Sequence, residues 1–323
     1  MMRARWIPAI ALMVICLGCR GLLPSRGPIT LDTAKIDEAI RAITEEHGDG
    51  IEVSVWLGGL DGAPWYALNE NEWRPGASAV KAAYLVELFA AHAGSLDEPL
   101  AETDQILSDP THPAIVHFDE RAQAEIRREH EGASVRRIGE MMIHGEGVSN
   151  TVYNAAANVT TAALGGAEGI TERIHARSPD FGGIAIRRYM LADRNVTGDN
   201  EATAASLAAV LRRIAGADLP GVDEETVEAI REVLRGDRAW WLGLHFFKTG
   251  ALNTNPLTRI ESGYHTKRGR VIVYVVMTEQ PNPGELTAEA AGERLQATTD
   301  RIRDLLLRAA RREVHGALSL SPW

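Results

Sequence analysis

Ile51-Glu52-Val53-Ser54-Val55-Trp56-Leu57 alternates in polarity and is followed by the turn residues Gly58-Gly59-Leu60-Asp61-Gly62 and by Trp65-Tyr66-Ala67-Leu68. That pattern reads as two strands joined by a turn. Ahead of it, Leu31 to His47 places Ile36, Ala39, Ile40 and Ile43 at helical spacing. Strand patterning returns only near the other end of the chain, at Trp240–Lys248, Arg259–His265 and Val271–Thr278. Leu286 to Arg312 then closes the chain as an amphipathic helix with Leu295, Ile302, Leu305 and Leu306 on its apolar stripe. The stretch from Gly94 to about Gly216 is mostly helical in pattern, and its charged run Asp119–Glu131 reads as a solvated helix face. Strands from both ends must share one core, which calls for a single, mostly antiparallel sheet with the central helices as a second lobe. The expected class is therefore α+β. A cleft between the lobes is the natural binding site.

The 323 residues are 45% hydrophobic and 24% charged, which excludes a collagen-like, low-complexity or wholly disordered protein. A net charge of −10 argues against a nucleic-acid partner, since such proteins carry a basic footprint. The two cysteines, Cys16 and Cys19, both lie near the N-terminus, so the body has no disulfide, thiolate nucleophile or thiolate metal site. Arg3 and Arg5, the apolar run Trp6–Leu17 and then Gly18 read as an export signal over residues 1–18. Gly18-Cys19 is similar to a bacterial lipobox, which makes Cys19 a candidate lipid acceptor and residues 19–30 a tether. The expected location is exported and periplasmic, with possible membrane attachment through that cysteine. No Gly-rich phosphate loop is present, and the reading calls for no metal or cofactor.

Lysine is scarce: Lys35, Lys81, Lys248 and Lys267 stand against 30 arginines. A lysine loses its proton readily on burial, whereas arginine does not, so a rare lysine beside a hydroxyl draws notice. Ser78-Ala79-Val80-Lys81 follows the breaker Arg74-Pro75-Gly76-Ala77 and opens a helix running to about His92. Positions i and i+3 share a helix face, and a serine next to an amine is a nucleophile–base arrangement. By itself the spacing also fits a capping serine and a surface lysine. Lys248-Thr249-Gly250, at the end of an apolar strand, offers a cation, a hydroxyl and a flexible glycine for a substrate carboxylate.

The two motifs together make the chain resemble the penicillin-recognising serine enzymes, most closely the class A β-lactamase-like family. Gly76 to Ala83 is similar to its nucleophile helix, and Met142-Ile143 with Ser149-Asn150-Thr151-Val152-Tyr153-Asn154 to its Ser-Asp-Asn segment. Phe247-Lys248-Thr249-Gly250 is similar to its C-terminal hairpin, so the likeness runs from about residue 35 to 312. It implies a three-layer α/β/α fold of the β-lactamase/transpeptidase type. The body would span 31–315, with a sheet lobe of 31–70 and 217–315 and a helical lobe of 71–216. Ser78 would then be the acylated nucleophile and Lys81 its general base. Asn150 would bind the substrate amide, and Lys248 and Thr249 its carboxylate beside Gly250. The backbone N–H groups of Ser78 and Ala251 would form the oxyanion hole.

Two departures carry consequences. In register, Val148 falls where the family has the serine that relays a proton to the leaving nitrogen, and Ser149 is the candidate substitute. Tyr189 falls where the family has its deacylating glutamate, and Asp193 where it has the asparagine that holds the water. Arg187 matches an arginine that precedes that glutamate, and Asp193 or Glu201 are the stand-in bases. The reading is a serine hydrolase that opens β-lactams and deacylates slowly, its partner a β-lactam or peptidoglycan-derived small molecule. A D-Ala-D-Ala peptidase or esterase, and a lipid-anchored binding protein without turnover, are the alternatives. Glu146 and His144 are further acid candidates, Arg259 a further carboxylate ligand, and Trp240 and Trp241 packing residues or an aromatic platform. His245 and His265 read as core or surface histidines. Asn158-Val159-Thr160 and Asn195-Val196-Thr197 match the glycosylation pattern, to which no role is attached.

Overall fold

The computed structural model describes residues 29–47, 50–145, 147–236, 243–267, 269–281, 284 and 286–316, with side chains to 313. The segment read as an export signal with Cys16 and Cys19, most of the tether, Glu146, Trp240 and Trp241 lie outside the described residues. Helix α1 (Thr33–His47) leads into β1 (Glu52–Gly58), β2 (Pro64–Leu68) and the two-residue strand β3 (Arg74–Pro75). A 3-10 turn, Ala77–Val80, runs directly into α2 (Lys81–Ala91). Then follow α3 (Glu102–Ser108), α4 (Glu120–His130), α5 (Val135–His144), α6 (Asn150–Ala163) and α7 (Gly166–Arg177). Strand β4 (Ile184–Ala185), α8 (Arg194–Thr197), β5 (Glu201–Ala202), α9 (Ala204–Gly216) and α10 (Glu224–Leu234) come next. The chain closes with β6 (Leu244–Phe247), β7 (Gly250–Leu252), β8 (Leu257–Lys267), β9 (Arg270–Gln280) and α11 (Ala288–Gly316).

The expected antiparallel sheet is present, in the order β2-β1-β9-β8-β6, with β7 also paired to β8, but it is not the single sheet expected: β3, β5 and β4 form a second, small antiparallel sheet in that order. The larger sheet's register sets Ser54 opposite Met277 and Gly263 opposite Tyr274. Alternation divides each strand between two cores. Val53, Val55 and Leu57 of β1 and Ile272, Tyr274 and Val276 of β9 face α1 and α11, where Ile36, Ile40, Ile302, Leu306 and Leu307 meet them. Trp56, Val273, Val275 and Met277 face the other way, into the larger core. Leu305, expected on the stripe of α11, is only partly buried, and Leu307 is buried in that core instead.

The second lobe is built around α2, which is buried on nearly every side and touches α5, α6, α7 and α10. Its Glu87, 2% exposed, is matched by a two-pronged ion pair from Arg177 at 2.7 and 2.8 Å, the geometry that makes a buried carboxylate tolerable. The lobe boundary at 216/217 is corrected. Helix α9 lies within the stretch expected in the helical lobe, yet it packs on β1, β8 and β9. Helix α10, expected with the sheet, packs on α2 and α5 as well as on α9 and β6. Both are amphipathic, and an apolar stripe says that a helix needs a partner without saying which surface provides it. The breaker before Ser78 is likewise more ordered than expected. Arg74, 3% exposed, donates to Ser54 Oγ at 2.7 Å and pairs with Glu52, Glu72 and Glu279, tying the approach to Ser78 onto the sheet.

Candidate active site

The turn that carries Ser78 is formed by close packing. Gly76 donates its N–H to the Asn200 carbonyl at 2.7 Å, and a Cβ there would stand 2.5 Å from Val80 Cγ1. Ala77 has φ of +44°, a region that residues with a Cβ seldom occupy, and such local strain concentrates at functional sites. Ser78 follows, half-buried, on the wall of a cleft of about 700 Å³. Its hydroxyl caps no helix, which removes the capping alternative. Lys81 begins α2 one turn on and is fully buried.

Tyr153, on the cleft-facing side of α6, sits between both motif lysines. Lys248 Nζ donates to the Tyr153 hydroxyl at 2.8 Å and to the Ile143 carbonyl at 2.5 Å. Lys81 Nζ lies 3.2 Å from the centre of the Tyr153 ring. It donates to Asn154 Oδ1 at 3.0 Å and to the Tyr153 carbonyl at 3.4 Å. The direct Ser78–Lys81 bond implied by the resemblance is not formed among the described residues. Ser78 and Tyr153 instead line the same cleft, near enough for the Ser78 hydroxyl to lower the proton affinity of the phenol. Burial pulls Lys248 down to about 7. Burial, and then the charge of Lys248, pull Lys81 well below the usual lysine range. Burial raises the Tyr153 phenol, an effect the Ser78 contact opposes. At neutral pH the site thus holds a neutral phenol between two amines that give up protons readily.

The opposite wall is the Lys248–Ala251 segment. Ser262 of β8 fixes its backbone, donating to the Lys248 carbonyl at 2.5 Å while the Lys248 N–H donates to the Ser262 carbonyl at 3.0 Å. At Gly250 the strand comes so close to the Ser78 turn that a Cβ would stand 3.0 Å from Ala79 N and 3.2 Å from Ser78 N. Thr249, Gly250 and Ala251 line the cleft, as does Asn150. Asn154 Nδ2 holds Asn150 by donating to its Oδ1 at 3.1 Å and to its carbonyl at 2.9 Å. A third wall, residues 187–200, is clamped by two asparagines. Asn200 Oδ1 accepts from the Arg187 and Arg188 N–H groups at 2.9 and 3.0 Å. Asn158 Oδ1 accepts from Met190 N at 2.6 Å while its Nδ2 donates to the Met190 carbonyl at 3.1 Å.

Several expected residues stand elsewhere. Ser149 is corrected: its Oγ accepts from Val152 N at 3.3 Å as the N-cap of α6, and it does not line the cleft. The helix begins one residue later, and its unpaired N–H groups claim the hydroxyl. Val148 packs partly buried against the helical core. Tyr189 also leans on that core, outside the cleft. The carboxylates among the described cleft residues are Asp193 and Asp199. Asp199 is held by Arg188 at 2.7 Å and by Arg194, and Asp193 caps α8 through Asn195 N at 2.9 Å. Glu201 is paired with Arg187 at 2.5 Å and does not line the cleft. Arg259 is turned away as well, donating to the Leu252 and Thr258 carbonyls and to Asn253 beside α11. His144 is exposed at the end of α5, near Phe247. His245 and His265 are buried and stacked at 4.3 Å, with His245 bonded to Tyr274 at 2.8 Å.

The sequence reading missed Tyr153, Asn154, Asn158 and Asn200. A signal existed for the first two. Asn150, Tyr153 and Asn154 stand at i, i+3 and i+4, one helix face, but Tyr153 and Asn154 served only to set the register. For the other two, only the fold shows what their side chains clamp.

The sequence matches a family model described as the beta-lactamase enzyme family over residues 35–302. No curated protein matches it. Among solved structures it is similar to a β-lactamase from Chitinophaga pinensis DSM 2588, with a TM-score of 0.61 and 17% identity, covering 85% of this chain and 99% of that one. A class A β-lactamase from Mycobacterium abscessus gives 0.60 and 17%, covering 85% and 98%. A β-lactamase from Sphaerobacter thermophilus DSM 20745 gives 0.59 and 18%, covering 90% and 99%. At these identities the structural likeness speaks for the fold alone.

Proposed function

The chain belongs to the beta-lactamase enzyme family, and from that premise we propose that it is a serine hydrolase opening β-lactam rings through acylation of Ser78, with slow release of the acyl group. The observation that carries this reading is the approach of Gly250 to the Ser78 turn, with buried Lys81 and Lys248 behind it. That approach supports the Ser78 and Ala251 N–H groups as a pair of donors for the developing oxyanion. One such donor contributes roughly 10²–10³-fold in rate. The Lys248 ammonium and the Thr249 hydroxyl would hold the substrate carboxylate, and Asn150 its amide. Lys81, its proton affinity lowered, would lend basic character beneath the nucleophile.

The state of the cleft carboxylates supports slow release. A deacylating water needs a positioned base, and Asp199 is neutralised by two arginines while Asp193 is exposed, its Oδ1 capping α8. In this proposal the export signal read in residues 1–18 and the lipid acceptor read at Cys19 put the enzyme outside the cytoplasm. Intact mass after incubation with benzylpenicillin tests it, alongside Ser78→Ala. The expected result is one lasting adduct of the drug's mass, absent from the variant. Hydrolysed drug without an adduct would contradict slow release. Neither adduct nor hydrolysis would contradict the substrate class.

A further inference from the structure

We infer that Tyr153 is the catalytic residue that takes the proton of Ser78 during attack and delivers a proton to the departing group. This rests on Ser78 being the nucleophile, as proposed above. The serine expected to relay that proton is absent, for position 148 is a valine and the Ser149 hydroxyl is committed to capping α6. The Tyr153 hydroxyl accepts from Lys248 Nζ at 2.8 Å, and Tyr153 lines the same cleft as Ser78, with Lys81 of the Ser78 turn lying on its ring. Its ring is held in place. Lys81 Nζ lies 3.2 Å from the ring centre, and Gly145 leaves room that a Cβ would close, falling 3.0 Å from Tyr153 Cδ2. A space-filling residue would need neither the hydroxyl nor its alignment on the nucleophile and a cation.

The step balances without any other reactant. As Ser78 Oγ bonds to the carbonyl carbon and the carbon–nitrogen bond breaks, the phenol gives its proton to the nitrogen and the Ser78 proton replaces it. The tyrosine ends neutral, as it began. Lys248 donates a charge-assisted hydrogen bond to the phenol oxygen, which stabilises the phenolate character that develops midway. Lys81, oriented by its bond to Asn154, packs on the ring face and keeps the phenol in place.

The test uses the purified protein and two reagents. A fluorophosphonate modifies an activated serine with loss of fluoride and reports on Ser78 whatever its natural substrate. Benzylpenicillin reports on the β-lactam reading. Tyr153→Phe keeps the ring under Lys81 and is expected to slow fluorophosphonate labelling of Ser78 by about 10²–10⁴-fold, the usual contribution of a positioned proton-transfer group, with circular dichroism unchanged. 3-Fluorotyrosine at position 153 keeps the packing and makes the phenol more acidic, so the pH profile of labelling is expected to move to lower pH. Labelling of the phenylalanine variant at the parent rate, or a pH profile that 3-fluorotyrosine leaves unmoved, overturns the assignment. A parent protein that labels through Tyr153 but ignores benzylpenicillin supports the relay and removes the β-lactam substrate. If Ser78 of the parent reacts with neither reagent, both readings fall.

Discussion

Replacing Lys248 with methionine isolates what this site costs the fold. The side chain is 5% exposed, and burial brings its ammonium from 10.5 in the unfolded chain to about 7. Between those values the unfolded state binds more protons than the native state, so this lysine makes stability rise with pH. Integrating that linkage, it costs the native protein about 4 kcal/mol at pH 7 and about 2 kcal/mol at pH 9. Lys248→Met removes the titration, together with the bonds to Ile143 and Tyr153, whose loss shifts the variant by nearly the same amount at both pH values. Relative to the variant, the parent is therefore expected to gain about 2 kcal/mol between pH 7 and pH 9. Urea unfolding of both proteins, with slopes checked for equality, measures it. Parallel stabilities across that range would refute the argument, because they require Lys248 to titrate alike folded and unfolded. The same titration governs function in the opposite sense. The charged form is the one that holds a carboxylate, so acylation is expected to fall as pH rises through about 7.

Gly250→Ala would set a methyl group 3.0 Å from Ala79 N and 3.2 Å from Ser78 N, so β7 must withdraw and the two oxyanion donors separate. Acylation by benzylpenicillin, followed by stopped-flow mass sampling, is expected to slow by about 10- to 100-fold, since small misplacements at the reacting centre are expensive. An unchanged rate would mean that this approach does not set the donor geometry. Ser149→Ala is expected to destabilise the protein by about 1 kcal/mol through loss of the α6 cap while leaving acylation as it was. A large fall in acylation at unaltered stability would return Ser149 to the proton relay.

The sheet was legible because alternation has period 2 and helices period 3.6, and both survive in the raw order of residues. Val53, Val55 and Leu57 declare a buried face before any partner is known, and the strands at both chain ends leave one sheet as the economical solution. Ser78, Lys81 and Lys248 were legible for a chemical reason, since a scarce lysine beside a hydroxyl stands out in a chain that otherwise uses arginine. Which surface α9 and α10 cover was not legible, because an apolar stripe specifies burial without naming its partner. Nor was the fate of Ser149, whose hydroxyl answers to where α6 begins, a boundary that shifts by a residue or two without altering the pattern. Sequence alone thus determined the elements, the sheet and the motif residues, each set by a local or periodic property of the chain. Tertiary structure alone decided that a tyrosine shares the cleft with Ser78 and bonds Lys248, because these residues lie 75 and 95 positions from it in the chain, a separation bridged only by the tertiary packing that sets α6 against α2 and α5.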